Sequence, residues 1–252
     1  MISSVQEAPP RLADLGRIAL FLDLDGTLAS IEPRPDDVGP EAWRTALLKR
    51  LQAKLDGRLA VISGRTLEEV DRILEGAVIA VAAVHGLVRR RTDGSVLRAD
   101  GHPALANARR QAADLAQAHP GILVEDKGLS LAIHYRLAPE LAAQMTSEAE
   151  QIAGGSGLKL QRGDMVAELC TPGLDKGAAV AAFMTEPPFA GAAPVFVGDD
   201  LTDEDGFDAA ERLGGMGVLV GPDRLTRASR RLAGAASVRA WLEAAVMEDA
   251  QP

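Results

Sequence analysis

Residues 17–22, Arg-Ile-Ala-Leu-Phe-Leu, form an apolar run without alternation that stops at Asp23-Leu24-Asp25-Gly26-Thr27. Alternation would mark a strand with one wet face. Its absence points to a strand buried on both faces, as in a parallel sheet covered by helices. The pattern recurs: residues 59–62 (LAVI) run into Ser63-Gly64-Arg65, and residues 194–197 (PVFV) into Gly198-Asp199-Asp200. Residues 78–84 and 217–220 are further apolar runs. Helical stretches lie between them at 40–55 and at 66–74, the second opened by the capping-box pattern Thr66-Leu67-Glu68-Glu69.

Strands alternating with helices predict βαβ units and a Rossmann-like, doubly wound α/β core. In such sheets ligands gather at the carboxyl ends of the strands, where all three polar clusters fall. The middle of the chain reads differently. Helices are expected at 103–118 and 139–153, and hairpins at 122–136 around Asp126-Lys127-Gly128 and at 158–170 around Arg162-Gly163-Asp164. That αββαββ order predicts a small α+β domain at 102–166, inserted into a core made of 1–101 and 167–252.

A chain of 252 residues can hold a core of this kind plus a smaller domain. Its formal net charge of -9 argues against sequence-independent binding of nucleic acid or of anionic membranes, both of which want a basic face. The same charge means that any anionic substrate must be held by local positive groups. The single cysteine, Cys170, forbids an internal disulfide and fits a reducing compartment. No histidine or helix start stands near it to make it a thiol nucleophile. Residues 1–16 lack a basic stretch followed by an apolar one, so no leader is expected and the cytoplasm is the expected location.

Asp23 and Asp25 are two carboxylates on a tight turn, and they repel unless a cation or shared proton lies between them. An oxygen-only pair suits magnesium, which binds through one or two carboxylates together with phosphate. Asp199, with Asp200, can complete such a site from another strand end. Lys176, in Leu174-Asp175-Lys176-Gly177, stands ahead of a helix expected from about 178, where it can neutralise a phosphate and a nucleophile together. Taken singly, Asp-Gly is a turn, Ser63 a strand-end cap and Lys176 a surface residue. An EF-hand is excluded by register, because the first ligand position would fall on Phe21 or Leu201.

Together and in order, FLDLDGT, VISGR, the lysine of GLDKG and GDDLTDED resemble the four motifs of haloacid dehalogenase-like phosphatases. The αββαββ insertion resembles that superfamily's larger cap type. Ala83-Val84-His85-Gly86-Leu87, the stretch from Val124 through Glu125, Asp126 and Lys127 to His134-Tyr135-Arg136, and Glu168 resemble the trehalose 6-phosphate phosphatases within it. The resemblance spans residues 18–242. One departure is Cys170, which stands where that family usually has arginine.

The resemblance implies magnesium-dependent hydrolysis of trehalose 6-phosphate through a phosphoaspartyl intermediate on Asp23. Asp25 is then the acid and later the base. Magnesium is implied on the Asp23 carboxylate, the Asp25 carbonyl and Asp199, with Asp200 and Asp203 one layer further out. Ser63 and Lys176 are expected to hold the phosphoryl oxygens, aided by Arg65 and by backbone N–H groups near Gly26, Thr27 and Gly64. Glu125, Lys127 and Glu168 are the implied contacts to sugar hydroxyls. Two rivals are a phosphatase for another sugar phosphate or a phosphoglycerate, and a catalytically silent domain that partners a synthase. Intact Asp23, Asp25, Lys176 and Asp199 speak against silence. A monomer is expected, with a trehalose-phosphate synthase as the one protein partner to consider.

Overall fold

The computed structural model describes residues 7–247, so part of the N-terminal stretch read as leader-free, and the outer ends of 1–101 and 167–252, lie outside the described residues. In chain order the elements begin β1 (Ile18–Leu22), α1 (Ala42–Lys54), β2 (Leu59–Ile62), α2 (Leu67–Leu74), β3 (Ala80–Ala83), β4 (Val88–Arg90) and β5 (Val96–Arg98). Then follow α3 (Leu105–Ala118), β6 (Leu123–Asp126), β7 (Ser130–His134), α4 (Ala142–Gly154), β8 (Lys159–Gly163) and β9 (Val166–Cys170). The chain continues with α5 (Lys176–Met184), β10 (Ala193–Gly198), α6 (Glu204–Arg212), β11 (Met216–Val220), β12 (Arg230–Leu232) and α7 (Ala235–Met247).

The chain forms two compact units. The first takes in Met1–Glu32, Val38–Leu97 and Asp175–Pro252. Its described residues form an eight-stranded sheet in the order β12-β11-β10-β1-β2-β3-β4-β5. β1 lies in the middle, parallel to β10 on one side and β2 on the other. Every residue of β1 and β2 is buried, which is why these runs carry no alternation. On one face Phe21 packs on Phe189 and Phe183, and Phe196 meets Phe207 edge to face. Parallel pairing sets the carboxyl ends of β1, β2 and β10 side by side, so that Asp23, Ser63 and Asp199 follow neighbouring strands.

Three features depart from the sequence expectation. The run at 78–84 yields a strand only over Ala80–Ala83, because Val84 and His85 turn into left-handed backbone with φ of 48° and 55°. The hairpin β4–β5 and the edge strand β12 have no apolar run to announce them. β4 is antiparallel to β3, so the sheet is mostly, not wholly, parallel.

The second unit, Arg98–Leu174 with Pro33–Asp37, contains an antiparallel sheet in the order β6-β7-β9-β8. The strand β9 belongs wholly to it, whereas a boundary at 166 divides that strand. Leu131, Ile133, Ala167 and Leu169 pack one face against Ala108 and Ala112 of α3 and Met145 and Ala149 of α4. Register places Glu125 beside Ala132, Ala132 beside Glu168, and Glu168 beside Gln161 on the opposite face. Among the described residues no helix is long and apolar enough to cross a membrane.

Candidate active site

Asp23 follows β1, its backbone N–H donating to the Val197 carbonyl on β10. Its Oδ1 accepts from Lys176 Nζ at 2.8 Å, and the same ammonium donates to Asp203 Oδ1 at 2.7 Å. Lys176 is the first residue of α5, two positions earlier than expected, because Asp175 caps that helix by accepting from the Ala178 N–H at 2.7 Å. The lysine is 3% exposed. Burial works against its charge, but Asp203 and Asp23 outweigh burial and hold its pKa well above the usual lysine value.

Asp203, expected at the margin, is fully buried at the centre of this cluster. A short turn from Asp200 to Asp203 folds its carboxylate back, so Oδ2 accepts from the N–H groups of Asp199 and Asp200, both at 3.0 Å. Carboxylate atoms of Asp23, Asp199 and Asp203 all lie within 4.8 Å of one another. Burial, and then the charge of Asp203, raises the Asp199 pKa to about 7. Burial likewise raises Asp23, more than Lys176 can offset, and raises Asp200. Even with Lys176 present, the carboxylates lack positive charge, and their all-oxygen donor set fits a hard divalent cation.

Gly26 has φ of 79°, and a Cβ there would stand 2.0 Å from Asp199 Oδ2. Glycine is therefore required on both backbone and steric grounds. Its N–H donates to the Ala29 carbonyl at 2.7 Å, so it is occupied in the loop itself. Thr27 is buried, with its hydroxyl 3.5 Å from Asp199 Oδ1. Ser63 is buried after β2, its Oγ accepting from the Arg65 N–H at 3.2 Å. Gly64 leaves room for the His85 ring, which a Cβ would meet at 2.6 Å. The left-handed Val84–His85 pair is held by N–H donation to the carbonyls of Arg65 and Ser63, and it forms a wall beside this loop.

Arg65, expected among the phosphate-holding groups, directs its guanidinium at carboxylates. Nε and Nη2 donate to the two oxygens of Asp25 at 2.7 and 2.8 Å, and Nη1 donates to Glu69 at 3.1 Å. Sequence reading also missed the loop anchor formed by Arg224, which donates to the Asp200 carbonyl at 3.0 Å and pairs with Glu204. Neither the Arg65–Asp25 pair nor the Arg224 anchor has a signal at short sequence spacing.

In the second unit, Lys127 Nζ donates to Glu168 Oε2 at 3.1 Å and lies 3.9 Å from Glu125. Ser130 Oγ donates to the other Glu168 oxygen at 2.5 Å, and Glu125 pairs with His134 at 2.9 Å. Glu125, Lys127 and Glu168 therefore share one cluster, extended by Ser130 and His134. Burial opposes the Lys127 charge, but Glu168 and Glu125 raise its pKa above the usual value. Cys170 is buried against Gln161, and burial pushes its thiol well up, so it is unsuited to nucleophilic work.

Comparison with known proteins agrees with these features. A family model described as trehalose-phosphatase matches residues 21–234. A trehalose-6-phosphate phosphatase of Escherichia coli (strain K12) is 42% identical over 229 residues, covering 90% of this chain and 86% of its own length. The crystal structure of a trehalose-6-phosphate phosphatase related protein superposes with a TM-score of 0.78 at 26% identity, covering 93% of this chain and 99% of that one. The C-terminal domain of a Candida albicans trehalose-6-phosphate phosphatase gives a TM-score of 0.86 at 21% identity over 95% of this chain and 98% of its own, a likeness of fold.

Proposed function

Because this chain belongs to the trehalose-phosphatase family, we propose that it hydrolyses trehalose 6-phosphate to trehalose and phosphate through a phosphoaspartyl intermediate on Asp23. The observation that carries the reading is the buried Asp23 carboxylate, fixed at Oδ1 by Lys176 and set beside Asp199. A carboxylate so held presents a defined oxygen to an in-line displacement, while the ammonium offsets incoming phosphate charge.

In the first step an Asp23 oxygen attacks phosphorus and the bond to the sugar oxygen breaks. Asp25 donates the proton which that oxygen takes up. In the second step water attacks the same phosphorus, Asp25 accepts its proton, and the Asp23 carboxylate is released with inorganic phosphate. Ser63 and Lys176 hold phosphoryl oxygens, with N–H groups of Thr27 and Gly64 as further donors. The Asp23 and Asp199 carboxylates with the Asp25 carbonyl would hold magnesium, and Asp203 and Asp200 keep that loop in shape. Bound magnesium supplies charge stabilisation for the transferring phosphoryl group. Glu125, Lys127 and Glu168 read the sugar hydroxyls, to which charged donors and acceptors are suited. These roles divide the chain into a core for chemistry and an inserted unit for recognition. The single cysteine leaves no internal disulfide to form, which is compatible with a cytoplasmic setting.

The test is phosphate release from a panel of sugar phosphates, with magnesium and with excess chelator. Trehalose 6-phosphate should be preferred, and chelator should silence turnover until magnesium is restored. Preference for glucose 6-phosphate or a phosphoglycerate would change the substrate and keep the mechanism. Full activity in chelator would reject the metal.

A further inference from the structure

We infer that Arg65 is a positioning residue, which aims the Asp25 carboxylate for both proton transfers instead of binding the phosphoryl group. Its fork meets both Asp25 oxygens, at 2.7 and 2.8 Å, in the bidentate geometry that planar guanidinium favours. The arginine is itself fixed on every side. Its N–H donates to Ser63 Oγ at 3.2 Å and its carbonyl accepts from the Val84 N–H at 2.9 Å. Nη1 donates to Glu69 Oε1, while Glu69 Oε2 accepts from the Thr66 N–H at 3.0 Å and the Thr66 hydroxyl at 2.7 Å. The capping box that starts α2 thus ends in an arginine aimed at Asp25.

This arrangement answers a need of the site. The Asp25 side chain is 35% exposed, against 8% for that of Arg65. A half-exposed carboxylate left alone would sample several rotamers, and proton transfer demands hydrogen-bond reach to a defined oxygen. A bidentate arginine fixes the plane of the carboxylate and leaves each oxygen a further lone pair for the proton in transit. The guanidinium also has little left for phosphate, because Nε, Nη1 and Nη2 each already meet a carboxylate oxygen.

The inference rests on the phosphoaspartyl reading above, and the test keeps the two apart by using two esters. A sugar alkoxide needs a proton to leave; p-nitrophenolate does not. Arg65→Met should therefore lower kcat for trehalose 6-phosphate by about a hundredfold or more, with KM little changed. With p-nitrophenyl phosphate the first turnover should stay fast while breakdown of the phosphoprotein slows. A burst approaching one p-nitrophenolate per protein should appear, with phosphoprotein trapped by acid quench. Arg65→Lys, which keeps charge without the fork, should fall between, and Glu69→Gln should show the same pattern more weakly. A rise in KM at unchanged kcat would make Arg65 a phosphate ligand and overturn the proposal. Equal slowing of both esters without a burst, in Arg65→Lys and Glu69→Gln that fold normally, would make its role merely structural. Wild-type protein that turns over the aryl ester but ignores trehalose 6-phosphate would refute the substrate, leaving Arg65 to be judged on the burst alone.

Discussion

Lys176 Nζ stands 2.8 Å from Asp23 Oδ1, with the lysine 3% and the aspartate 4% exposed. The two residues are 153 positions apart in sequence and meet because α5 starts at the carboxyl edge of the sheet. Removing one partner of a buried pair leaves uncompensated charge, a loss of about 3–5 kcal/mol. Lys176→Met should lose about that much stability at pH near 8 and less near pH 5, because burial holds the Asp23 pKa up and its charge is more easily neutralised as pH falls. Its turnover should fall by at least about a hundredfold. Denaturant melts at both pH values check the first statement, and equal loss at both would contradict it.

Asp23→Asn should fold normally and lose turnover by a thousandfold or so. Burial, Asp203 and Asp199 all disfavour charge on Asp23, and Lys176 alone favours it. A neutral amide of the same size therefore relieves some repulsion while it removes the attacking oxygen. No acid-stable phosphoprotein should form. Activity within tenfold of wild type would end the covalent mechanism.

Metal and pH should be linked through Asp199. Its pKa in the metal-free fold is raised from 3.8 to about 7. A raised carboxylate contributes stability that is present below its unfolded pKa and is lost as pH rises through the folded one. The metal-free protein therefore loses this contribution between about pH 4 and pH 7. Metal must displace the proton, so it binds more tightly as pH rises. Millimolar magnesium should raise the Tm of chelator-treated protein by several degrees near pH 8 and by much less near pH 5. Equal shifts at both would refute the linkage.

The polar clusters at the strand ends were legible in sequence because a strand buried on both faces leaves an unbroken apolar run. Parallel pairing then brings the residues that follow β1, β2 and β10 together without further information. The sheet edges were not legible. β4 and its neighbourhood are held by Arg89 and Arg91 on Glu186 and by Arg90 on Asp71, ion pairs that leave no periodicity. For the same reason the burial of Asp203 and the contacts of Arg65 left no signal in spacing. One is folded inward by a single turn, and the other meets a carboxylate 40 residues away.

The last prediction separates a substrate-reading role of the second unit from a structural one. Glu125 and Glu168 both face Lys127, but they differ in burial. The side chains of Glu168 and Lys127 are each 7% exposed, whereas that of Glu125 is 25% exposed. Glu168→Ala leaves the buried ammonium only the more distant Glu125 and loses the Ser130 hydrogen bond as well, so lost stability would confound its kinetics. Glu125→Ala leaves Lys127 on Glu168 and should fold. If Glu125 accepts from a sugar hydroxyl, a charged hydrogen bond of about 1.5–3 kcal/mol is lost, and kcat/KM for trehalose 6-phosphate should fall by roughly ten- to over a hundredfold. Hydrolysis of p-nitrophenyl phosphate, which has no sugar, should change by less than about threefold, because Asp23, Asp25 and Lys176 are untouched. His134 provides a control. Its Nε2 donates to the Glu125 carboxylate at 2.9 Å, so His134→Ala should show a weaker version of the same selectivity if it orients Glu125. Equal slowing of both esters in Glu125→Ala would mean that the cluster maintains the sheet and does not read a ligand.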